Sequence, residues 1–118
     1  MTRGDIGIEI GPAAFRNPVM LASGPAGYGT EYAGIVDIAA AGAVVTKTIS
    51  FEPRPGNPGE RLCETPAGLL NSVGLENVGA EAFFAEKLPA LVEAGATAIV
   101  SLAGEDWDEY LALLDRTA

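Results

Sequence analysis

Lys47 is the residue whose placement asks most of its surroundings. It follows Ala43-Val44-Val45-Thr46 without a break, so its ammonium stands at or just inside the end of an apolar strand. A buried ammonium is costly unless an anion meets it. Either a neighbouring carboxylate or an anionic cofactor or substrate would satisfy that need, and the sequence leaves both open. Thr48 adds a hydroxyl directly after it. A second group is Asn71-Ser72-Val73-Gly74-Leu75-Glu76-Asn77. Its two asparagines offer amide donors and acceptors to a polar planar ligand, and Gly74 permits close backbone approach. The same residue types are also ordinary turn formers. Ser23-Gly24 closes one apolar run, and Ser101, with Gly104 just beyond, closes another. In parallel α/β folds ligands bind at the carboxyl ends of strands. Polar strand ends at Ser23, Lys47-Thr48 and Ser101 therefore point toward one site, although strands must also stop at polar turns for purely structural reasons.

The same inventory excludes other chemistry. Histidine is absent, so no Ser-His or Cys-His pair can form within these residues. The single cysteine, Cys63, rules out an internal disulfide framework and a cysteine-based zinc site. Flanked by Arg61, Leu62 and Glu64, it reads as structural or incidental, not as a nucleophile. Gly24-Pro25-Ala26-Gly27-Tyr28-Gly29 carries neither the dinucleotide fingerprint nor the lysine-bearing triphosphate loop, and reads as a flexible βα loop. The acidic residues near Glu105 and Asp108 suit a helix start. A net charge of −9 argues against nucleic-acid binding through phosphate neutralisation. No apolar run reaches the roughly 18 residues of a membrane span. Met1 to Ile10 holds Asp5 and Glu9 and no long apolar core, unlike a signal peptide, so the cytoplasm is the expected location.

The elements that must position these groups follow from periodicity. Ile6, Ile8 and Ile10 alternate with Asp5, Gly7 and Glu9, predicting a short half-buried strand closed at Gly11-Pro12. Pro18 to Ala22 is a second strand, followed by the glycine-rich loop. Thr30 is placed to cap a helix with Tyr32, Ile35, Val36 and Ala39 on its buried side and Gly42 as its stop. Ala43 to Thr48 has no alternation, as expected of a parallel strand covered on both faces. Residues 49–79 form a connection far longer than the usual 2–6 residues. Leu62, Leu69, Leu70, Val73 and Leu75 predict that it is ordered and contains a small hairpin. A helix is expected from about Ala80 to Ala94, with a stripe of Phe83, Phe84, Leu88, Leu91 and Val92, Pro89 bending it or splitting off its last turn, and Gly95 ending it. Ala96 to Ala103 is another buried strand. Asp106 with Glu109 resembles a capping box opening a last helix, whose stripe is Trp107, Tyr110, Leu111 and Leu114. The order is a leading strand or hairpin, then β-α-β-long loop-α-β-α. Such alternation predicts a parallel sheet with right-handed crossovers. The 118 residues suit one domain and show no internal repeat or boundary.

Read together, these segments resemble the dihydroorotate dehydrogenase family. The matching stretches are Asn17-Pro18-Val19-Met20-Leu21-Ala22-Ser23-Gly24, Gly27-Tyr28-Gly29, Val45-Thr46-Lys47-Thr48, Glu52-Pro53-Arg54-Pro55-Gly56-Asn57-Pro58, Glu64-Thr65-Pro66-Ala67-Gly68 and Leu70-Asn71-Ser72-Val73-Gly74-Leu75-Glu76-Asn77-Val78-Gly79. Their order and spacing cover nearly the whole chain. It is most similar to the soluble class I, whose bacterial catalytic subunits pass electrons to NAD through a partner. The resemblance implies an α/β fold: the N-terminal part, about three βα units, of a TIM (β/α)8 barrel that holds FMN at the carboxyl ends of its strands. It implies FMN-dependent oxidation of dihydroorotate to orotate in pyrimidine biosynthesis. By motif, Ser23, Lys47 and Thr48 would contact FMN. Lys47 would also touch the substrate, and its charge would stabilise the anionic flavin that hydride transfer leaves. Asn71, Ser72, Val73, Gly74 and Leu75 would hold dihydroorotate, with Asn77 supporting their loop. Ser101, a shorter group that still forms hydrogen bonds, stands where relatives often carry an FMN-contacting asparagine.

A complete barrel of this kind needs eight βα units and about 250 residues. The family's catalytic base, a cysteine or serine, is therefore expected beyond Ala118, and Cys63 does not match its position. The resemblance further implies an electron-transfer subunit carrying FAD and an iron–sulfur cluster, and a homo-oligomer at full length. The expectation for residues 1–118 is a partial FMN-binding domain that is inactive alone. The alternatives are a non-catalytic fragment or interaction protein derived from the barrel, or a related flavin barrel acting on another pyrimidine.

Overall fold

The structure, a computed structural model, describes residues 6–32 and 34–117. In chain order its elements are β1 (Ile8–Ile10), β2 (Ala13–Phe15), β3 (Met20–Leu21), α1 (Ser23–Ala26), 3₁₀ turns at Thr30–Tyr32 and Ile38–Ala40, β4 (Ala43–Val45), β5 (Leu62–Thr65), β6 (Gly68–Asn71), α2 (Gly79–Ala82), a π turn at Phe83–Lys87, α3 (Leu88–Glu93), β7 (Ala98–Ile99) and α4 (Trp107–Asp115). They fall into two compact units, Met1–Lys47 with Phe84–Ser101 and Thr48–Phe83 with Leu102–Ala118. Among the described residues no helix is long and apolar enough to cross a membrane.

The first unit is built on a parallel sheet in the order β3-β4-β7. Met20 pairs with Ala43 and Leu21 with Val44, while Val44 pairs with Ala98 and Val45 with Ile99. The unalternating run at residues 43–46 becomes the central strand, with Ala43, Val44 and Thr46 fully buried. That is the expected result for a strand covered on both faces. Ala26, Ile38, Val44, Leu91 and Ala96 form the core, with Leu21 and Ala98 packed against it. Gly42, expected as a stop, meets a second demand. A Cβ there would stand 2.0 Å from the Asn17 carbonyl oxygen and 3.0 Å from that of Val19. Gly42 N–H donates to Val19 O at 2.8 Å, so the backbones touch where the chain enters β4.

The leading segment is an antiparallel hairpin, with Ile8 opposite Phe15 and Ile10 opposite Ala13. Asp5 of the predicted alternation lies outside the described residues. Burial of the alternate isoleucines is not realised: Ile6 and Ile10 are exposed and only Ile8 is partly covered. A two-stranded ribbon has no second layer of its own to bury them.

The helix expected from Thr30 to Gly42 does not form, so the first βα unit closes through turns. Gly34 takes φ +86°, a conformation outside the helical region. Ile35 and Val36 follow it in a turn, exposed. Asp37 then starts a new 3₁₀ turn, its carboxylate accepting from Ala39 N–H at 3.1 Å. Ile38, outside the predicted stripe, is the buried residue. The helix over residues 79–93 is divided as Pro89 requires. The backbone widens to a π turn at Phe83–Lys87, and Pro89 falls in the first turn of α3, where a missing N–H costs least. Of the predicted stripe, Phe83 and Leu91 are fully buried and Val92 stays exposed.

In the second unit, Ile49 bridges Leu102 in parallel, and Ala103 N–H donates to Ile49 O at 2.9 Å. The long connection is ordered and carries the expected hairpin, Leu62 opposite Asn71 and Thr65 opposite Gly68. Its leucines do not supply that order, because Leu62, Leu69 and Leu70 are all exposed. Hydrogen bonds hold it instead. In α4 the cap is as expected: Asp106 accepts from Glu109 N–H at 2.9 Å, while Glu109 reaches back to Glu105 N–H. The predicted stripe is wrong in phase. Leu113 is fully buried, whereas Trp107 (75 % exposed), Tyr110, Leu111 and Leu114 lie on the open side.

Gly42→Ala is expected to destabilise the chain by about 3 kcal/mol, because the clash is with backbone and cannot relax by a rotamer change. Urea unfolding of the two proteins measures it.

Candidate functional site

All strands of the β3-β4-β7 sheet are parallel, so their carboxyl ends share one edge. Ser23 is the first residue of α1, directly after β3 and Ala22. Lys47 stands two residues beyond β4, and Ser101 two residues beyond β7. All three side chains are partly buried. The first unit thus brings Ser23, Lys47 and Ser101 to the same edge. Thr48 and Asn71–Leu75 belong to the other unit, the boundary falling between Lys47 and Thr48.

Backbone contacts hold this edge. Thr46 N–H donates to Ile99 O at 2.9 Å, and its fully buried hydroxyl oxygen accepts from Ser101 N–H at 3.3 Å. Thr46 therefore sets the chain at Ser101, a role that a threonine inside an apolar run does not announce. Lys47 N–H donates to Gly27 O at 2.6 Å. The loop after β3 is not the flexible one expected. Gly29 N–H returns to Ala26 O at 2.7 Å, Tyr32 donates its hydroxyl to Pro25 O at 2.8 Å, and Tyr28 N–H is held by the Glu31 carboxylate.

The partner of the Lys47 ammonium was left open by the sequence. Among the described residues of its own unit, no carboxylate lies within ion-pair distance of it. Arg54–Glu105 and Arg61–Glu76 are ion pairs inside the other unit. The edge thus offers an ammonium and two hydroxyls, a donor set suited to anionic oxygens and the polar rim of a planar ring. An apolar cavity of about 220 Å³ in the same unit, between α1 and Ile38, has almost no polar wall and is not this site. Among the described residues no cluster of histidine, cysteine or acidic side chains could hold a metal ion.

In the second unit the segment after β6 is clamped from several directions. Asn57 donates its amide to Ser72 O at 3.0 Å and to Ser72 Oγ at 2.9 Å, and its N–H reaches Val73 O at 3.0 Å. Gly74 accommodates this contact, since a Cβ would stand 2.6 Å from the Asn57 amide. Arg61 O accepts from Ser72 N–H at 2.9 Å, while its guanidinium pairs with Glu76 at 2.9 Å. Leu75 holds φ +55°, a left-handed conformation that costs a non-glycine residue roughly 1–3 kcal/mol. Asn77 fixes it. Its buried amide donates to Leu75 O at 2.8 Å and to Ser50 Oγ at 2.9 Å, and its oxygen accepts from Ser50 N–H at 3.2 Å and Gly79 N–H at 2.9 Å. Asn77 thus ties the segment at Leu75 to Ser50 and Gly79. Asn71 and Ser72 remain exposed, their backbone held from behind. Cys63 is exposed on the hairpin.

Thr46, Ser50, Asn57, Arg61 and Glu31 carry no signal of these roles in the sequence. Asn57 lies 15 residues from Ser72, and Asn77 lies 27 from Ser50. No local spacing rule reaches across such intervals.

A family model described as dihydroorotate dehydrogenase matches residues 7–118. Among curated relatives, the dihydroorotate dehydrogenase B (NAD(+)) catalytic subunit of Pelobacter propionicus is 50% identical over 112 residues, covering 95% of this chain and 37% of that protein. The subunit of the same name from Thermodesulfovibrio yellowstonii is 48% identical over 113 residues, 93% of this chain and 37% of that protein. That of Geotalea uraniireducens is 45% identical over 116 residues, 98% of this chain and 38% of that protein. The chain spans a little over a third of the length of these relatives.

Asn77→Ala is expected to remove about 3 kcal/mol of stability, since it leaves the buried N–H groups of Ser50 and Gly79 and the Leu75 carbonyl without their partner. Amide exchange at Ser50 and Gly79 should accelerate before that at Val44, which bonds elsewhere.

Proposed function

The chain belongs to the dihydroorotate dehydrogenase family, and on that premise we propose that residues 1–118 form part of an FMN-binding TIM barrel of class I that oxidises dihydroorotate to orotate in pyrimidine biosynthesis. The observation that carries this reading is Lys47. It stands partly buried at the carboxyl end of a central parallel strand, and among the described residues no carboxylate of its own unit pairs with it. A donor-rich strand edge of that kind suits an anionic, phosphate-bearing cofactor with a polar ring. The residues present therefore fit FMN.

In this reading Ser23, Lys47, Thr48 and Ser101 hold FMN. Lys47 also meets the substrate, together with Asn71, Ser72, Val73, Gly74 and Leu75. When bound, FMN supplies the acceptor for the two electrons that leave the substrate. The ammonium of Lys47 stabilises negative charge that develops beside it. Asn71 and Ser72 present side-chain donors and acceptors to a ring of amides and a carboxylate, while the strained Leu75 backbone aims the segment. Orientation is their contribution, because a planar substrate held in one pose loses the freedom that would otherwise oppose reaction. None of these groups is a proton acceptor for the substrate's C5 proton, a role that falls to a residue outside the matched third of the relatives. The relatives' name as an NAD(+)-linked catalytic subunit supports a further, electron-transfer subunit; in this reading that partner carries FAD and an iron–sulfur cluster, and the full-length protein is a homo-oligomer of the cytoplasm.

A chimera tests the assignment: residues 1–118 replace the matching segment of the Pelobacter propionicus subunit. It is expected to bind FMN and to be bleached by dihydroorotate in a stopped-flow cuvette. A folded, yellow chimera that dihydroorotate does not bleach ends the reading. In the chimera, Lys47→Ala should slow flavin reduction at saturating substrate by about 100-fold or more without shifting the unfolding midpoint. An unchanged rate removes Lys47 from the chemistry. The chain of 118 residues mixed with FMN should show no dihydroorotate-driven bleaching.

A further inference from the structure

We infer that Glu31 is a positioning residue for Lys47 and acts through the peptide group between Gly27 and Tyr28, a role that rests on the function proposed for Lys47. That single peptide group carries both contacts. Its N–H, which belongs to Tyr28, donates to the two carboxylate oxygens of Glu31 at 3.0 Å each. Its carbonyl, which belongs to Gly27, accepts from Lys47 N–H at 2.6 Å. All four residues lie in one unit.

The carboxylate sits directly over the glycine. A Cβ on Gly27 would stand 2.6 Å from Glu31 Oε1 and 2.8 Å from its Cδ. Gly27 itself adopts φ 58° and ψ −122°, which side-chain-bearing residues rarely adopt. Glycine beside a peptide group leaves that group inexpensive to rotate, so its orientation must be imposed from outside. Glu31 imposes it. An N–H bound to a carboxylate is held about twice as strongly as in a neutral pair. The same contact polarises the peptide, which makes the carbonyl at its other end a better acceptor.

Lys47 needs that acceptor. Thr46 N–H bonds to Ile99 on the β7 side. The next N–H along an extended strand faces the other way, toward β3, but β3 has ended at Leu21. The Gly27 carbonyl takes the place of the missing strand. If the peptide turned over, Lys47 N–H would lose its partner at the point where the chain must leave an apolar layer and present a charge. Among the described residues the Glu31 carboxylate accepts only from Tyr28 N–H, so it acts on Lys47 through the backbone and not through the lysine side chain.

The test uses the isotopically labelled 118-residue chain. Coupling through the hydrogen bond from Lys47 nitrogen to the Gly27 carbonyl carbon is measured alongside amide exchange. In the parent the coupling is present. Glu31→Ala should abolish it and speed exchange at Lys47 by about tenfold or more, while Thr46, bonded on the other side, is unchanged. Glu31→Gln keeps an acceptor oxygen and should restore both. Coupling that survives in Glu31→Ala, equal acceleration at Thr46 and Lys47, or no rescue by glutamine would each overturn the inference. Should the alanine variant fail to fold, Glu31→Asp decides: its carboxylate is one methylene short, so the coupling should be lost although the charge remains, and retained coupling refutes the role. None of these readouts needs flavin, so an absence of flavin chemistry counts against the proposed function alone.

Discussion

A strand buried on both faces must deliver a charged residue at its end. That constraint organises the first unit. β4 has to be apolar to sit between β3 and β7, and Lys47 has to emerge within two residues of Val45. The transition is made with backbone hydrogen bonds: Thr46 leans on β7, and Lys47 is caught by the returning loop at Gly27. The entry to β4 is equally tight, since Gly42 passes against the Asn17 and Val19 carbonyls. A strand of three residues is thereby gripped at both ends. The ordered loop after β3 follows from the same requirement, because its carbonyl replaces a strand that has already stopped.

The second unit solves a different problem by different means. Its long connection buries few of its leucines, so the hydrophobic effect cannot account for its order. Order comes from polar groups that leave no buried side-chain donor or acceptor unpaired among the described residues. Asn77 is the centre of that network, with Asn57 and Arg61 acting as struts. The exposed ion pairs contribute little by themselves, about 0–1 kcal/mol each. A buried amide with four partners is another matter, because removing it strands every group it serves. The strained Leu75 backbone persists only because that network holds it. Strain of this kind is common at ligand-binding segments, which accords with the substrate-side role proposed for Asn71–Leu75.

The open apolar face of α4, with Trp107, Leu111 and Leu114, fits the same family reading. A helix in a strand-and-helix barrel buries its stripe against neighbouring elements. The relatives are nearly three times as long as the segment this chain matches.

Much of this was legible in the residues themselves. The central strand, the small hairpin, the break at Pro89 and the cap at Asp106 all follow from local rules: a run without alternation, a turn flanked by strand formers, a ring without an N–H, a carboxylate that can reach its own helix start. The motifs at Ser23, Lys47 and Asn71–Asn77 were visible for the same reason, being contiguous. Phase and partnership were not. Whether Leu113 or Trp107 turns inward depends on what packs against α4, and the failure of the helix near Gly34 depends on Ile38 finding the core from a turn. Which residues could carry charge, hydrogen bonds and strand structure follows from the residues alone, because those properties belong to single side chains and their neighbours. That Glu31, through one peptide group, bears on Lys47, and that Asn77 holds Leu75 and Ser50 together, emerges from the folded chain. Such contacts join positions whose separation along the chain carries no periodic signal.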